Sequence, residues 1–335
     1  MKDEGFHHNR IRDPVHGFIH FSPLEESLID SKEFQRLRNI RQLAMTNLVY
    51  PGAMHTRFEH SLGVMELASR AFDLLTYKNK PLIERSLDEV GLTILQGKQI
   101  LRFAALLHDI GHLPFSHAAE NVLPKGKKHE DVSIAIIENC FRNWLDGELF
   151  KGASDLIVQL LKKEAIPPLR LLKQLLSGQL DCDRMDYLLR DSLHCGVGYG
   201  NFDYARLLET LTVYEAPEGG LDLAVDRGGV HALEALILAR YFMFSQVYCH
   251  RTRRIYDIYL EHYMHSRYLG LFEDLTKVLD YDDISLQADL RREDKPKEEN
   301  QWAARILGRV NHSVVFETND HADAKQVRTV HQIFK

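Results

Sequence analysis

The stretch QILRFAALLHDIGHLPFSH, residues 99–117, constrains this chain more than any other. Its first nine residues form the apolar run of an amphipathic helix. They deliver His108 and Asp109 at the C-terminal end, where Gly111 breaks the helix. His112 and His117 follow. A lone histidine at a helix end usually caps backbone carbonyls. Three histidines and an aspartate in ten residues suggest a metal site instead. Imidazole and carboxylate together suit Mn, Mg, Fe, Co, Ni or Zn, and no thiolate is offered. An adjacent His-Asp pair supplies two ligands only if other elements complete the sphere. HTRFEHSLGV (55–64) offers His55, Arg57, Glu59 and His60 just before another helix. LDCDRMDYLLRD (180–191) offers Asp181, Asp183, Asp186 and Asp191. His60 and one of those aspartates are placed to do it.

The rest reads as a mainly α protein. DSKEFQRLRNIRQLAM (30–45) spaces Phe34, Leu37, Ile40 and Leu43 by three, which predicts an amphipathic helix. SLGVMELASRAFDLL (61–75), VSIAIIENCFRNWL (132–145) and LDCDRMDYLLRDSL (180–193) predict further helices, and 228–264 predicts one long helix or two in succession. GFIHF (17–21) predicts a short strand, and LTVYEAPEGGLDLAVD (211–226) a hairpin around Pro217-Glu218-Gly219-Gly220. The charged run 286–301 predicts an exposed connection, and SVVFET (313–318) a late strand. No internal repeat is found. The expected division is a helical core over 1–265 and a smaller mixed helical and strand region over 266–335. The ending VHQIFK carries no stop signal, which leaves room for an incomplete C-terminal unit.

Composition excludes some classes. With 335 residues, 44% hydrophobic and 27% charged, the chain is long enough for an ample core. A net charge of −6 argues against a bulk polyanion binder but leaves room for a local basic pocket. No aromatic-basic platform announces nucleic-acid binding, and that partner stays open. No uncharged apolar run approaches the roughly 18 residues of a membrane span. The opening MKDEGFHHNR lacks an apolar signal region, and Cys140, Cys182, Cys195 and Cys249 form no CxxC pair. The expectation is a cytoplasmic protein with reduced thiols.

RDPVHGFIHF (12–21), FQRLRNIRQL (34–43), YPGAMHTRFEHSLGV (50–64), LLHDIGHLPFSH (106–117), LDCDRMDYLLRDSLHCGV (180–197) and NFDYARL (201–207) occur in that order. Together they resemble the HD-domain deoxynucleoside triphosphate triphosphohydrolases: the vertebrate SAM-and-HD-domain enzyme and its bacterial relatives. The similarity runs from about residue 10 to about 260 and includes no SAM domain. It implies an HD-domain helical core in which His60, His108, Asp109 and Asp183 hold one divalent metal ion. Such an ion polarises a phosphate oxygen and lowers the pKa of a bound water from 15.7 toward roughly 7.

The resemblance implies further site residues. His112 matches the catalytic histidine, and His129-Glu130 the His-Glu pair of the same site. Glu120 stands where the family has an aspartate. A rival reading makes His112 and His129 ligands of a second metal. Periodicity by itself puts Asp183, Tyr187 and Asp191 on one helix face. The family then has Tyr187 stack on sugar or base and Asp191 read the sugar hydroxyl. Arg57, Arg184 and Arg240 match basic positions suited to gripping a triphosphate. Tyr248, His250, His117, Gln42 and Leu43 resemble residues lining the nucleotide pocket.

Asp30, Gln35 and Arg38 match residues that hold a guanine nucleotide at an activating site between subunits, although the family lysine there aligns with Asn9. Asp30 followed by Glu33 also fits a capping box. The implied function is hydrolysis of deoxynucleoside triphosphates to deoxynucleoside and inorganic triphosphate by a homo-oligomer, a dimer or tetramer. The alternatives are another HD phosphohydrolase (nucleotidase, cyclic-nucleotide or alarmone hydrolase, single-strand nuclease) and a non-catalytic nucleotide sensor.

Overall fold

A computed structural model describes residues 9–292, 301–310 and 312, and gives the backbone alone at His117. A short hairpin, β1 (Asn9–Asp13) and β2 (Gly17–Phe21), precedes α1 (Pro23–Ile29) and α2 (Lys32–Gln35). The body consists of α3 (Arg57–Asp88), α4 (Ile94–Leu107), α5 (His129–Ile136), α6 (Arg142–Glu148), α7 (Ala153–Leu161), α8 (Arg170–Leu176), α9 (Cys182–Cys195) and α10 (Tyr204–Thr210). A second hairpin, β3 (Leu211–Glu215) and β4 (Leu221–Val225), leads to α11 (Val230–Met243), α12 (Arg251–Tyr268), α13 (Asp283–Arg292) and α14 (Gln301–Leu307). The protein is mainly α with two small antiparallel hairpins, as the periodicity predicts. The expected strand over 313–318 lies outside the described residues.

Helix α3 is the central pillar. α4 and α9 both pack along it, and its buried side includes Leu62, Val64, Met65, Leu67, Ala68, Ala71, Phe72 and Leu75. Glu59 opens it by accepting the Thr56 amide at 3.0 Å. Pro81 kinks it, and Asn79 leaves helical geometry (φ −128°, ψ 31°) to make room for the ring. Gly63 decides how close α9 comes. A Cβ there would overlap the Asp186 carboxylate and the Arg190 guanidinium.

Two sequence expectations are corrected, and the alternative left open over 228–264 is decided. The helix predicted over 30–45 is only α2 followed by a 3₁₀ turn, Arg36–Asn39. A spacing of three is also the 3₁₀ repeat. Phe34, Leu37, Ile40 and Leu43 are all buried, but Ile40 is extended and Arg41 bridges to Thr56. The long segment 228–264 divides into α11 and α12, separated by a π turn at Phe244–Tyr248 and a break at Cys249-His250. Part of the supposed connection 286–301 is helix α13, because Leu286 and Leu290 lie four apart and are both buried. No helix of the described residues is long and apolar enough to cross a membrane.

Candidate metal centre

Each metal-binding candidate is positioned by a helix end or a helix face. His60 sits in the second turn of α3, His108 caps the C-terminal end of α4, and Asp183 lies in the first turn of α9. His60 Nε2 is 3.0 Å from Asp183 Oδ1 and 3.6 Å from Asp109 Oδ2. His108 Nε2 is 3.5 Å from Asp109 Oδ1 and 3.9 Å from Asp183 Oδ1. Ligand atoms held about 2.1 Å from a common ion stand about 3.0–3.5 Å apart, so this spacing suits one cation. The far nitrogen of each ring is already engaged. His60 Nδ1 lies 2.8 Å from Asp186 Oδ2, and His108 Nδ1 lies 2.7 Å from the Ala105 carbonyl oxygen. With Nδ1 donating, Nε2 is left as the basic atom, and His108 Nε2 is buried with no hydrogen bond. His60, His108 and Asp183 thus each offer a ligand atom within 4.8 Å of the others, Asp109 borders both rings, and the set fits a divalent metal.

Without a cation, a proton on His60 takes its place between the carboxylates. Burial alone would lower the His60 pKa, but hydrogen bonds to Asp183 and Asp186 outweigh it and push it up to about 10. Burial alone would raise that of Asp109. The Arg57 guanidinium, helped by His108 and His112, holds it well below the usual carboxylate range. Asp183 is lowered against the same cost of burial, first by its hydrogen bond to His60. This concentration of negative charge is what a cation would neutralise.

Beside the set stands a histidine pair. The His112 and His129 rings stack with centroids 3.8 Å apart. His129 Nδ1 lies 2.6 Å from Glu120 Oε1 and 3.5 Å from Glu130 Oε2. Glutamate at 120 therefore reaches this ring in place of the family aspartate. His112 Nε2 is 3.2 Å from Asp109 Oδ1. Burial, then Arg57 and His129, push the His112 pKa well below its usual value and keep the ring neutral. Asp109, His112 and His129 also bring ligand atoms within 4.8 Å of one another, as the two-metal reading requires. Gly111 permits the pairing, because a Cβ there would lie 2.5 Å from the His129 carbonyl oxygen.

The comparisons follow this geometry. The HD domain model matches residues 57–191, which span the whole ligand set, and the HD associated region matches 202–331. A solved structure of a hypothetical protein from Aquifex aeolicus is 33% identical, covers 98% of this chain and 82% of its own, and superposes with a TM-score of 0.81. The chain belongs to the HD domain family. A phosphohydrolase from Bacteroides thetaiotaomicron superposes with a TM-score of 0.75 at 31% identity, over 90% of this chain and 77% of that one. An uncharacterized protein of Methanocaldococcus jannaschii is 39% identical over 84% of this chain and 54% of its own. The deoxynucleoside triphosphate triphosphohydrolase SAMHD1 of Danio rerio is 33% identical over 61% of this chain and 36% of its own. The chain thus spans about half the length, or less, of the curated relatives it matches.

The other predicted site residues separate into groups. Arg57 is buried and spends its guanidinium on Asp109 and on Ser116 Oγ, 2.9 Å away. Arg184 donates to the Gln179 carbonyl at 3.0 Å and lies 3.7 Å from Asp181, while Arg240 is exposed. The Asp191 carboxylate is shared: His55 Nε2 is 2.7 Å from one oxygen and Tyr248 donates to the other at 2.6 Å. Tyr187 meets Tyr248 edge-on at 6.1 Å. Gln42 is buried with its Oε1 unbonded, and Leu43 is in the core. His250 accepts from the Thr252 amide at 3.2 Å and caps α12. The side chain of His117 lies outside the described residues. At the presumed guanine site, Gln35 donates to the Ile29 carbonyl at 2.8 Å, and Arg38 donates to Gln35 Oε1 at 2.8 Å and lies over the Phe58 ring. Asp30 is exposed and ends α1. The cap of α2 is Ser31, which accepts from the Phe34 amide, so the capping box expected at Asp30 is not formed.

Sequence reasoning missed the support of the HD domain site. Asp186 gathers His60, His16 Nε2 at 2.6 Å, and Arg190 through Nε at 2.8 Å and Nη2 at 2.9 Å. Arg190 also holds Asp13 at 2.7 Å. The i, i+4 spacing of Asp186 and Arg190 was a visible signal. Arg36 was missed too. It is buried and donates to the His112 carbonyl at 2.8 Å and the Tyr281 carbonyl at 2.6 Å, which clamps the HDIGH loop. A third omission is Lys173. It lines a cavity of about 70 Å³ together with His108, Asp109, His129, Glu130 and Asp183.

Proposed function

We propose that the protein hydrolyses deoxynucleoside triphosphates to deoxynucleoside and inorganic triphosphate, using one divalent ion held by His60, His108, Asp109 and Asp183. The observation that carries this reading is the pair of Nε2 atoms of His60 and His108, each ring held at Nδ1, grouped with Asp183 and bordered by Asp109. The bound ion would supply Lewis acidity toward phosphate and a more acidic water. His112 is the residue for proton transfer. It is neutral before substrate arrives, and a polyphosphate beside it raises its proton affinity again. Glu120 and Glu130 orient His129 against it. Tyr187, Asp191, Tyr248, His250, Gln42, Leu43 and His117 are read as the nucleoside side of the site, and Arg57, Arg184 and Arg240 as the basic positions. The triphosphate assignment draws on the SAMHD1 relatives at 31–33% identity.

The reading includes a homo-oligomer. It draws on the outer face of α11, where Ile237, Leu238, Tyr241 and Phe242, with Phe244 just beyond, are exposed. It also includes guanine-nucleotide activation through Asp30, Gln35 and Arg38. The test is a panel of dNTPs, NTPs, NMPs, cyclic nucleotides and short single strands, with products resolved by phosphorus NMR. Inorganic triphosphate as the released product is expected. Asp183→Ala is expected to lose both the metal and this product. Release of orthophosphate or pyrophosphate, or preference for a monophosphate, overturns the assignment.

A further inference from the structure

The cavity beside the metal-binding set has one cation whose use is unexplained. Its wall is formed by His108, Asp109, Asp183, His129 and Glu130, by Leu160, Leu161 and Leu176, and by Lys173 of α8. Lys173 is half-buried, and its ammonium makes no hydrogen bond and no ion pair among the described residues. Partial burial lowers its proton affinity while the Glu130 and Asp181 carboxylates act on it from a distance, and an entering anion would pair with it directly. The two nearby arginines already hold protein partners. Arg57 is bound to Asp109 and Ser116, and Arg184 to the Gln179 carbonyl. A divalent ion offsets Asp109 and Asp183, but it leaves the charge of a phosphate chain largely unbalanced. The apolar side chains of Leu160, Leu161 and Leu176 keep the dielectric low on that side, which strengthens any contact the ammonium makes.

We propose that Lys173 receives the phosphate chain of the substrate and makes the site select polyphosphates over single phosphates. The inference rests on the phosphohydrolase reading of this site but not on the identity of the nucleoside. Lysine suits the task as a compact point charge on a flexible stem, able to follow an anion that changes shape during the reaction.

Lys173→Met and Lys173→Arg test it by calorimetric titration at saturating Mn²⁺, with tripolyphosphate supplied as its Mn complex and orthophosphate as the comparison. In Lys173→Met, tripolyphosphate binding is expected to weaken at least tenfold and orthophosphate binding less than threefold. Metal content and melting temperature stay unchanged, and Lys173→Arg restores most of the loss. Where dNTPs are cleaved, the same change appears in KM for the triphosphate rather than in kcat. Equal weakening of both anions in Lys173→Met, or none, overturns the proposal. The two readings fail separately. A wild-type protein that cleaves no dNTP refutes the nucleotide assignment, while its preference for tripolyphosphate over orthophosphate still tests Lys173.

Discussion

Asp186→Asn separates the orientation of the metal ligands from the stability of the fold. Asp186 is fully buried and accepts from four donors: His16 Nε2 at 2.6 Å, His60 Nδ1 at 2.8 Å, and Arg190 Nε and Nη2 at 2.8 and 2.9 Å. Asparagine keeps the shape but offers one accepting oxygen, and its amide turns donors toward donors. Arg190 retains Asp13, so its charge is not stranded. Breaking a buried pair costs about 3–5 kcal/mol, and the retained partner places this case near the lower end. The effect on the metal is distinct. Without a firm acceptor at Nδ1, His60 loses its fixed tautomer, and loss of such an outer partner weakens metal binding about 10–100-fold. Guanidinium unfolding of the metal-free protein measures the first quantity, and calorimetry with Mn²⁺ measures the second. The pH dependence supplies a sign check. Despite its burial, the Arg190 guanidinium and the hydrogen bonds hold the Asp186 pKa well below its usual value of 3.8. Its contribution is therefore present above that value and lost as pH falls through the folded-state pKa. Wild type and variant should differ constantly from pH 8 to about pH 5 and converge only in strong acid. A variant that is less stable but binds metal as tightly as wild type refutes the orienting role.

His112→Ala is expected to retain the metal and to lose about 10²–10⁴ in kcat, read by metal analysis beside single-turnover rates. Asp283 should show the opposite pH sign to Asp186. It accepts the Phe115 amide at 2.7 Å and the Arg41 amide at 3.1 Å, yet burial pushes its pKa from 3.8 up to about 6. Wild type should therefore lose stability relative to Asp283→Asn as pH rises from about 4 to 6, by about 3 kcal/mol. A difference that stays flat across that range removes the buried-acid argument. GTP or dGTP is expected to raise the rate and the sedimenting mass of wild type but not of Asp30→Ala. Unchanged values in wild type would leave Asp30 as no more than the end of α1.

The helical body was legible because its apolar spacing is strong and its breaks are explicit. α3, α4 and α9 follow from runs such as QILRFAALL, and the hairpin at 211–225 follows from Pro217 to Gly220. What misled was local. A run with apolar residues three apart reads equally as α-helix or 3₁₀ turn, and Ala44, with φ at +49°, shows how abruptly the chain leaves the helix after Asn39. The charge of 286–301 predicts an exposed connection, but Leu286 and Leu290 decide the burial of its first turns. The geometry at 108–117 was also hidden. Phe115 and Ser116 both adopt positive φ, near +56° and +57°, which non-glycine residues reach only where surrounding structure holds them. Asp283 does so from 168 residues away, through its bond to the Phe115 amide.

The proposed site is legible in its candidate ligands and not in their supports, and the difference has a physical cause. Ligands advertise themselves by chemical type, since histidine and aspartate crowd where apolar residues are expected. A support is defined by a direction, namely the nitrogen of the imidazole that the metal does not take. That rule can still be applied to the sequence. Each ligating histidine needs an acceptor for its other ring nitrogen. For His108, at a helix end, the acceptor is the carbonyl three residues earlier, Ala105, and the sequence suffices. His60 lies in the second turn of α3, where the helix's own carbonyls are committed to its ladder. Its acceptor must then come from whatever element delivers the final aspartate. On α9 the residue three past Asp183 shares its face, and that residue is Asp186. The arginine four residues on is placed to neutralise it and is buried with it, its charge met from the other side by Asp13 of β1. The amino-terminal hairpin thus belongs to the proposed metal centre: it closes the charge balance of the carboxylate that holds His60.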